Sequence, residues 1–180
     1  MKSGALPISL RVVQSTQVAP TLGDEIVKQS LIAGIVGIIL VVAFMILFYG
    51  IPGMLANVAL LCYAVFVLGL IALLRGVLTL PGVAGVVLGV GMAVDANLII
   101  FERIKDEIRN GKRVRPAVQS GFERAFITIL DSNITTLIVA VVLLFLGSGP
   151  VQGFAMTLAI SILVSMFTAI VVTRLLLEWW

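Results

Sequence analysis

Histidine is absent from this chain, and cysteine occurs once, at Cys62. Those two scarcities exclude a disulfide framework and the usual zinc patterns. Charge is scarce as well: 12% of the 180 residues are charged, against about a quarter in soluble domains. With 61% apolar residues and a mean hydropathy of +1.21, the composition is that of a membrane protein. The net charge of +3 is small, and most basic residues crowd into one loop. That distribution argues for membrane topology and against nucleic-acid binding. No cleavable signal peptide is visible, since the first apolar run starts near Ser30, after a polar stretch holding Pro7 and Pro20. No Lys or Arg lies in the middle of any apolar run.

Residues 1–29 are mixed and polar. Residues 10–18 carry the pattern of an edge strand, and Thr21 or Asp24 is placed to cap a following helix. The segment is too short for a core of its own and reads as the tail of a domain outside this chain. Residues 30–180 read as a transmembrane domain. Five apolar runs, at about 31–49, 55–74, 83–101, 126–146 and 154–177, each approach the ~20 residues a spanning helix needs. Gly50-Ile51-Pro52-Gly53 makes a tight turn after the first, and Gly147-Ser148-Gly149-Pro150 stops the fourth. Gly76 to Gly82 is apolar but holds helix breakers, the pattern of a short re-entrant or interfacial connection. Trp179 and Trp180 suit the interfacial belt after the fifth run.

The one substantial loop, 102–125, holds Arg103, Lys105, Arg109, Lys112, Arg113, Arg115 and Arg124. With Arg174, its side of the membrane carries eight of the twelve basic residues. The positive-inside rule then predicts a cytoplasmic loop and C-terminus, with the N-terminal segment outside. An outside start without a signal implies an earlier transmembrane segment and an external domain beyond this chain. The loop itself is expected to be helical. Ile100, Ile104 and Ile108 repeat at i+4, carrying the third helix on to Asn110-Gly111. Pro116 opens another helix, with a stripe of Val118, Phe122 and Phe126. The basic residues could be topology anchors and nothing more.

Lipid gives helices no hydrophobic drive to associate, so small residues mark their contacts. The third span offers Gly85, Gly89 and Ala93, with Gly91 close by; the fifth offers Ser161, Ser165 and Ala169. These faces are expected to pack on each other or on a partner's helices.

Asp95, with Asn97 beside it, lies roughly 9 Å inside the end of the third span at 1.5 Å per residue. A carboxylate there costs about 2.5–3.5 kcal/mol on insertion scales. Burial disfavours the ionised form, so Asp95 is expected to be neutral when isolated and charged when a cation or water wire reaches it. That is the chemistry of a proton relay. The plainer alternative is an acid satisfied by Asn97, a threonine or backbone groups, which sets helix register. Asp131, roughly 7 Å into the fourth span, has a similar depth and could couple to Asp95. Asp131, Ser132, Asn133, Thr135 and Thr136 could instead line a hydrated vestibule. Any counter-charge for Asp95 has to come from another chain.

Three stretches carry a resemblance: GMAVDANLIIFERIKDEIR (91–109), LTLPGVAG (78–85) and ILDSNITTL (129–137). Together they resemble the SecD branch of the SecD/SecF family of protein-export membrane subunits. SGALPISLRVVQSTQVAPTLGDEIVKQS (3–30) is similar to the stretch leaving that branch's periplasmic domain. The resemblance implies an all-α, five-helix transmembrane bundle like one half of a resistance–nodulation–division transporter. Residues 1–29 would be the remnant of the periplasmic link. It further implies an inner-membrane subunit that couples proton flow to late translocation of exported preproteins. The implied partners are a SecF-like subunit, the SecYEG channel and the preprotein, with the small accessory subunit YajC as a further candidate. No cofactor, metal or enzymatic activity is implied. The family's intramembrane acid falls on Asp95, and its basic counterpart belongs to the SecF-like partner.

Two rival classes stay open beside this. One is a purely structural membrane subunit, in which Asp95 sets packing. The other is an intramembrane aspartyl protease using Asp95 and Asp131, although Met92-Ala93-Val94 separate the glycines from Asp95, unlike the usual glycine-x-glycine-aspartate placement.

Overall fold

The computed structural model describes residues 20–74 and 79–179. All regular structure among them is helical: α1 (Pro20–Tyr49), α2 (Ile51–Leu73), α3 (Leu80–Arg109), α4 (Val114–Leu146), α5 (Pro150–Phe167), a π-helical turn (Thr168–Val172) and α6 (Thr173–Trp179). Five rods, the last running from α5 through α6, are long and apolar enough to cross a membrane. At 1.5 Å per residue, α3 and α4 measure about 45–50 Å, longer than a hydrocarbon core of roughly 30 Å. Their charged ends, which meet at the 110–113 link, therefore project beyond it.

The turns follow from local chemistry. Gly50 (φ 58°) and Gly149 (φ 52°) each take a left-handed conformation that L side chains avoid, and each is followed by a proline in the next helix's first turn. Pro52 and Gly53 thus already belong to α2. Thr79 caps α3 by accepting a hydrogen bond from the Gly82 amide at 3.2 Å, with Pro81 in the first turn. The expected interfacial connection is accordingly helix from Leu80 onward, while residues 75–78 lie outside those described. Residues 10–18 lie outside them too. α1 runs from Pro20, so Thr21 and Asp24 lie within its first turns, and their side chains lie outside those described.

α3 is the axis of the bundle. It touches each of the other spans and packs most extensively on α5, while α1 leans on α2 and α3 at the edge. The larger core cluster joins Tyr63, Val67, Ile100, Ile104, Phe122 and Ile129, and a smaller one holds Ala140, Leu158 and Ile162. Small residues set the helix spacing. The α4 face turned inward is Ala117, Gly121, Ala125 and Ile129, with Phe122 beside it. Phe126, expected on that face, is 43% exposed, and Val118 is only partly buried. A Cβ on Gly121 would lie 3.0 Å from the Ile104 backbone, so the two helices meet too closely for the larger stripe. Ile108, at the far end of the i+4 repeat, is likewise exposed.

The fifth apolar run folds as a rod that is not α-helical throughout. The π turn interrupts it where four hydroxyl residues cluster. Ser165 Oγ donates to the Ile162 carbonyl at 2.9 Å, and Thr168 Oγ1 to the Val164 carbonyl at 2.9 Å. Back-bonding of this kind loosens the ordinary ladder.

Candidate functional site

The site is built on the middle of α3, where neighbouring side chains point in opposite directions. Ala93, Val94, Ala96 and Asn97 are buried against the bundle, whereas Asp95 is exposed on its outer surface. Asp95 forms no hydrogen bond or ion pair among the described residues. Only the plainer alternative, in which Asn97 satisfies Asp95, is at odds with this placement. Two residues on a helix are about 200° apart, so Asp95 and Asn97 cannot share a face. Asn97 does not satisfy Asp95; it is 3% exposed, and its Oδ1 accepts a 2.8 Å hydrogen bond from Thr173 Oγ1.

Thr173 is the first residue beyond the π turn. Its single hydroxyl proton has a second acceptor within reach, the Thr168 carbonyl at 3.3 Å. That i→i−5 spacing is the π-helical one. A buried polar pair thus ties the irregular part of the fifth rod to α3 next to the exposed acid. Sequence reasoning missed Thr173. The available signal was a threonine in an apolar run facing an otherwise unsatisfied asparagine.

The small-residue face behind Asp95 is placed as follows. Gly82 and Gly85 lie against Thr157 on α5, and a Cβ on Gly85 would reach the Phe154 carbonyl at 3.1 Å. A Cβ on Gly89 would overlap the Tyr63 hydroxyl and the Ser161 side chain. Ala93, Ser161, Ser165 and Ala169 are buried. Gly91 is the exception: nothing lies within 4 Å of where its Cβ would be. It shares the exposed stripe of α3 with Ala84, Leu88 and Asp95.

The polar start of the fourth span does not converge on one lumen. Asp131, Ser132 and Thr135 are exposed, Thr136 is half-buried and Asn133 is buried. Their polar groups turn back on their own helix. Ser132 Oγ and Asn133 Nδ2 donate to the Ile129 carbonyl at 3.1 and 2.8 Å; Thr135 and Thr136 donate to the Asp131 and Ser132 carbonyls at 2.9 and 3.1 Å. A vestibule lined by all five is thereby corrected, since residues spread around a helix by 100° steps face different neighbours.

Beyond the apolar run, Glu107 is 2% exposed and lies between two cations: Lys112 Nζ at 2.7 Å and Arg124 Nη1 at 2.8 Å. This ion triad joins the end of α3 to the 110–113 link and the start of α4. Lys105 pairs with Glu102 at 3.0 Å and sits 4.1 Å above the Tyr49 ring. Among the described residues, no three His, Cys, Asp or Glu side chains gather as a metal site.

These features define a polytopic all-α membrane protein whose central helix carries an acid on an open face. Residues 4–180 match the family described as Protein export membrane protein SecD/SecF, C-terminal, and the chain belongs to that family. It is 52% identical over 177 residues to the protein translocase subunit SecD of Acidaminococcus fermentans, and 50% identical over 177 residues to that of Synechocystis. Each match covers 98% of this chain but only 42% and 38% of those relatives' own lengths. The fold superposes on the crystal structure of SecDF, a translocon-associated membrane protein from Thermus thermophilus, with a TM-score of 0.86. That match has 41% identity and covers 89% of this chain and 22% of the SecDF chain. A second SecDF structure, in the super-membrane-facing form, gives a TM-score of 0.83. The bundle therefore has the architecture of one half of a resistance–nodulation–division transporter.

Proposed function

We propose that this chain is the membrane portion of a SecD-type translocase subunit, in which Asp95 takes up and releases a proton to drive late export of preproteins. The observation that carries this reading is the position of Asp95, outward-facing at the centre of the axial helix. A carboxylate turned toward lipid costs about 2.5–3.5 kcal/mol at mid-membrane. A second membrane body covering Ala84, Leu88, Gly91 and Asp95 would remove that cost and could bring the missing cation. A SecF-like subunit is the partner that the family membership suggests, and Gly91 leaves room for its close approach. The exposed acid can then cycle between a paired, charged form and a neutral one as the two halves shift.

In this reading residues 1–29 are the link from a periplasmic domain, and residues 30–180 are the transmembrane domain. The basic loop 102–125 and the C-terminus face the cytoplasm, across the bacterial inner membrane. SecYEG, the exported preprotein and YajC are the further partners proposed. Asp131, also exposed, is a candidate second acid on the same export cycle.

The test is Asp95→Asn in the full-length protein. It should co-purify with its SecF-like partner as the unaltered protein does, but lose export stimulated by a proton gradient. Normal gradient-stimulated export would sink the relay and leave a structural subunit.

A further inference from the structure

The charged ends of the helices enclose a cleft of about 970 Å³ that the export reading leaves without a role. Its walls come from the α1–α2 turn, the end of α3, the start of α4 and α6, so four separate stretches of sequence build it. Tyr49, Phe101 and Trp179 supply aromatic surface, and isoleucine, valine and leucine side chains make most of the rest. Lys105, Arg115 and Arg174 supply three cations, and no carboxylate is among the described residues that line it.

Its level in the membrane follows from the sequence of α3. The apolar run ends at Phe101 and charge begins at Glu102, so the cleft straddles the boundary between hydrocarbon and headgroups. Tyr49 lies with its ring centroid 5.7 Å from that of Phe101, at the depth where aromatic belts form. Trp179 is 89% exposed at the rim. A soluble anion would use the cations but leave the apolar walls wet. An acyl chain alone would use the walls but leave Arg115 without a counter-charge among the described residues.

We infer that this cleft holds an anionic phospholipid, its phosphate among Lys105, Arg115 and Arg174 and its upper acyl chain along the isoleucine and aromatic wall. Basic pockets between membrane helices recognise anionic headgroups in this way. The Glu102 carboxylate, 3.0 Å from Lys105, tempers one cation, and Arg115 has no such ion-pair partner among the described residues. Arg115 is therefore the chief determinant of headgroup charge. The cleft volume lies near the upper end of the roughly 300–1,000 Å³ usual for ligand pockets.

The experiment is native mass spectrometry of the full-length protein in detergent, titrated with phosphatidylglycerol or phosphatidylcholine of identical chains. Phosphatidylglycerol should be retained preferentially, with the preference falling about fivefold for each cation removed in Arg115→Gln and Lys105→Gln. Arg103→Gln with Arg113→Gln, which removes two cations of the same collar outside the cleft, should leave the preference intact. Quenching of Trp179 by brominated acyl chains, read as the difference from Trp179→Phe, should follow the same order, and an unchanged helical circular-dichroism spectrum and melting temperature show that each variant is folded. Equal retention of the two lipids would overturn the inference, and so would an equal loss in the control variant. Displacement by millimolar inorganic phosphate would do the same, since it would mark a soluble-anion site.

Discussion

Thr173 Oγ1 lies 2.8 Å from Asn97 Oδ1, joining the first residue after the π turn to the middle of α3, with both side chains buried. The two residues are 76 positions apart, and between them they fix where the irregular rod sits on the axial helix. Thr173→Val keeps the shape and removes the hydroxyl, leaving the Asn97 amide without its partner. The expected loss is about 0.6–1.7 kcal/mol, the range of hydrogen bonds between membrane helices. A double-mutant cycle with Asn97→Leu, read by unfolding of the reconstituted protein, should show coupling of that size. Additive effects would mean that the bond contributes nothing beyond packing.

Gly89 and Gly91 are two positions apart and should respond in opposite ways. Gly89→Ala drives a methyl group into the Tyr63 hydroxyl and Ser161, and should destabilise the bundle by about 1–3 kcal/mol. Gly91→Ala meets open space within this chain and gains helix propensity, so its thermal stability should stay within about 1 kcal/mol of the unaltered protein or rise. Equal destabilisation would contradict the placement of the packing face.

Glu107 holds Lys112 and Arg124 together at the junction of α3 and α4. Glu107→Gln should loosen the 110–113 link without disturbing the spans. Trypsin should then cut after Lys112 and Arg113 several-fold faster in the variant, and raising salt should narrow the difference by weakening the unaltered triad. Unchanged cleavage rates would show that backbone packing at Gly121 holds the junction alone.

The open stripe of α3 can be mapped by cysteine cross-linking in a Cys62→Ala background. Gly91→Cys and Asp95→Cys should cross-link to the SecF-like partner in membranes, while Asn97→Cys, turned inward, should not. Cross-linking at all three positions, or at position 97 alone, would contradict the proposed docking face.

Much of the bundle was legible because membrane helices announce themselves by length and hydropathy. The five spans, the turns at Gly50 and Gly149 and the extension of α3 to Arg109 all follow from runs, breakers and i+4 repeats. The stripe on α4 was right only in part: of Val118, Phe122 and Phe126, Phe122 is buried, whereas the rest of the inward face is made by Ala117, Gly121 and Ala125. Large apolar residues face lipid as readily as protein in a membrane, so hydrophobicity cannot tell the two faces apart. Closeness of approach can, and it favours small residues.

The candidate site divides the same way. That Asp95 is an acid in an apolar helix, with no Lys or Arg in the middle of any span, was determined by the sequence alone, because charge scarcity is a property of composition. Which way Asp95 points was decided by tertiary structure. The 100° step between residues gives every helix an inside and an outside, and only packing against α4, α5 and the π turn selects which is which. That choice sent Asn97 inward to Thr173 and left Asp95 on the open face. It also gathered Lys105, Arg115 and Arg174, distant in sequence, around one cleft.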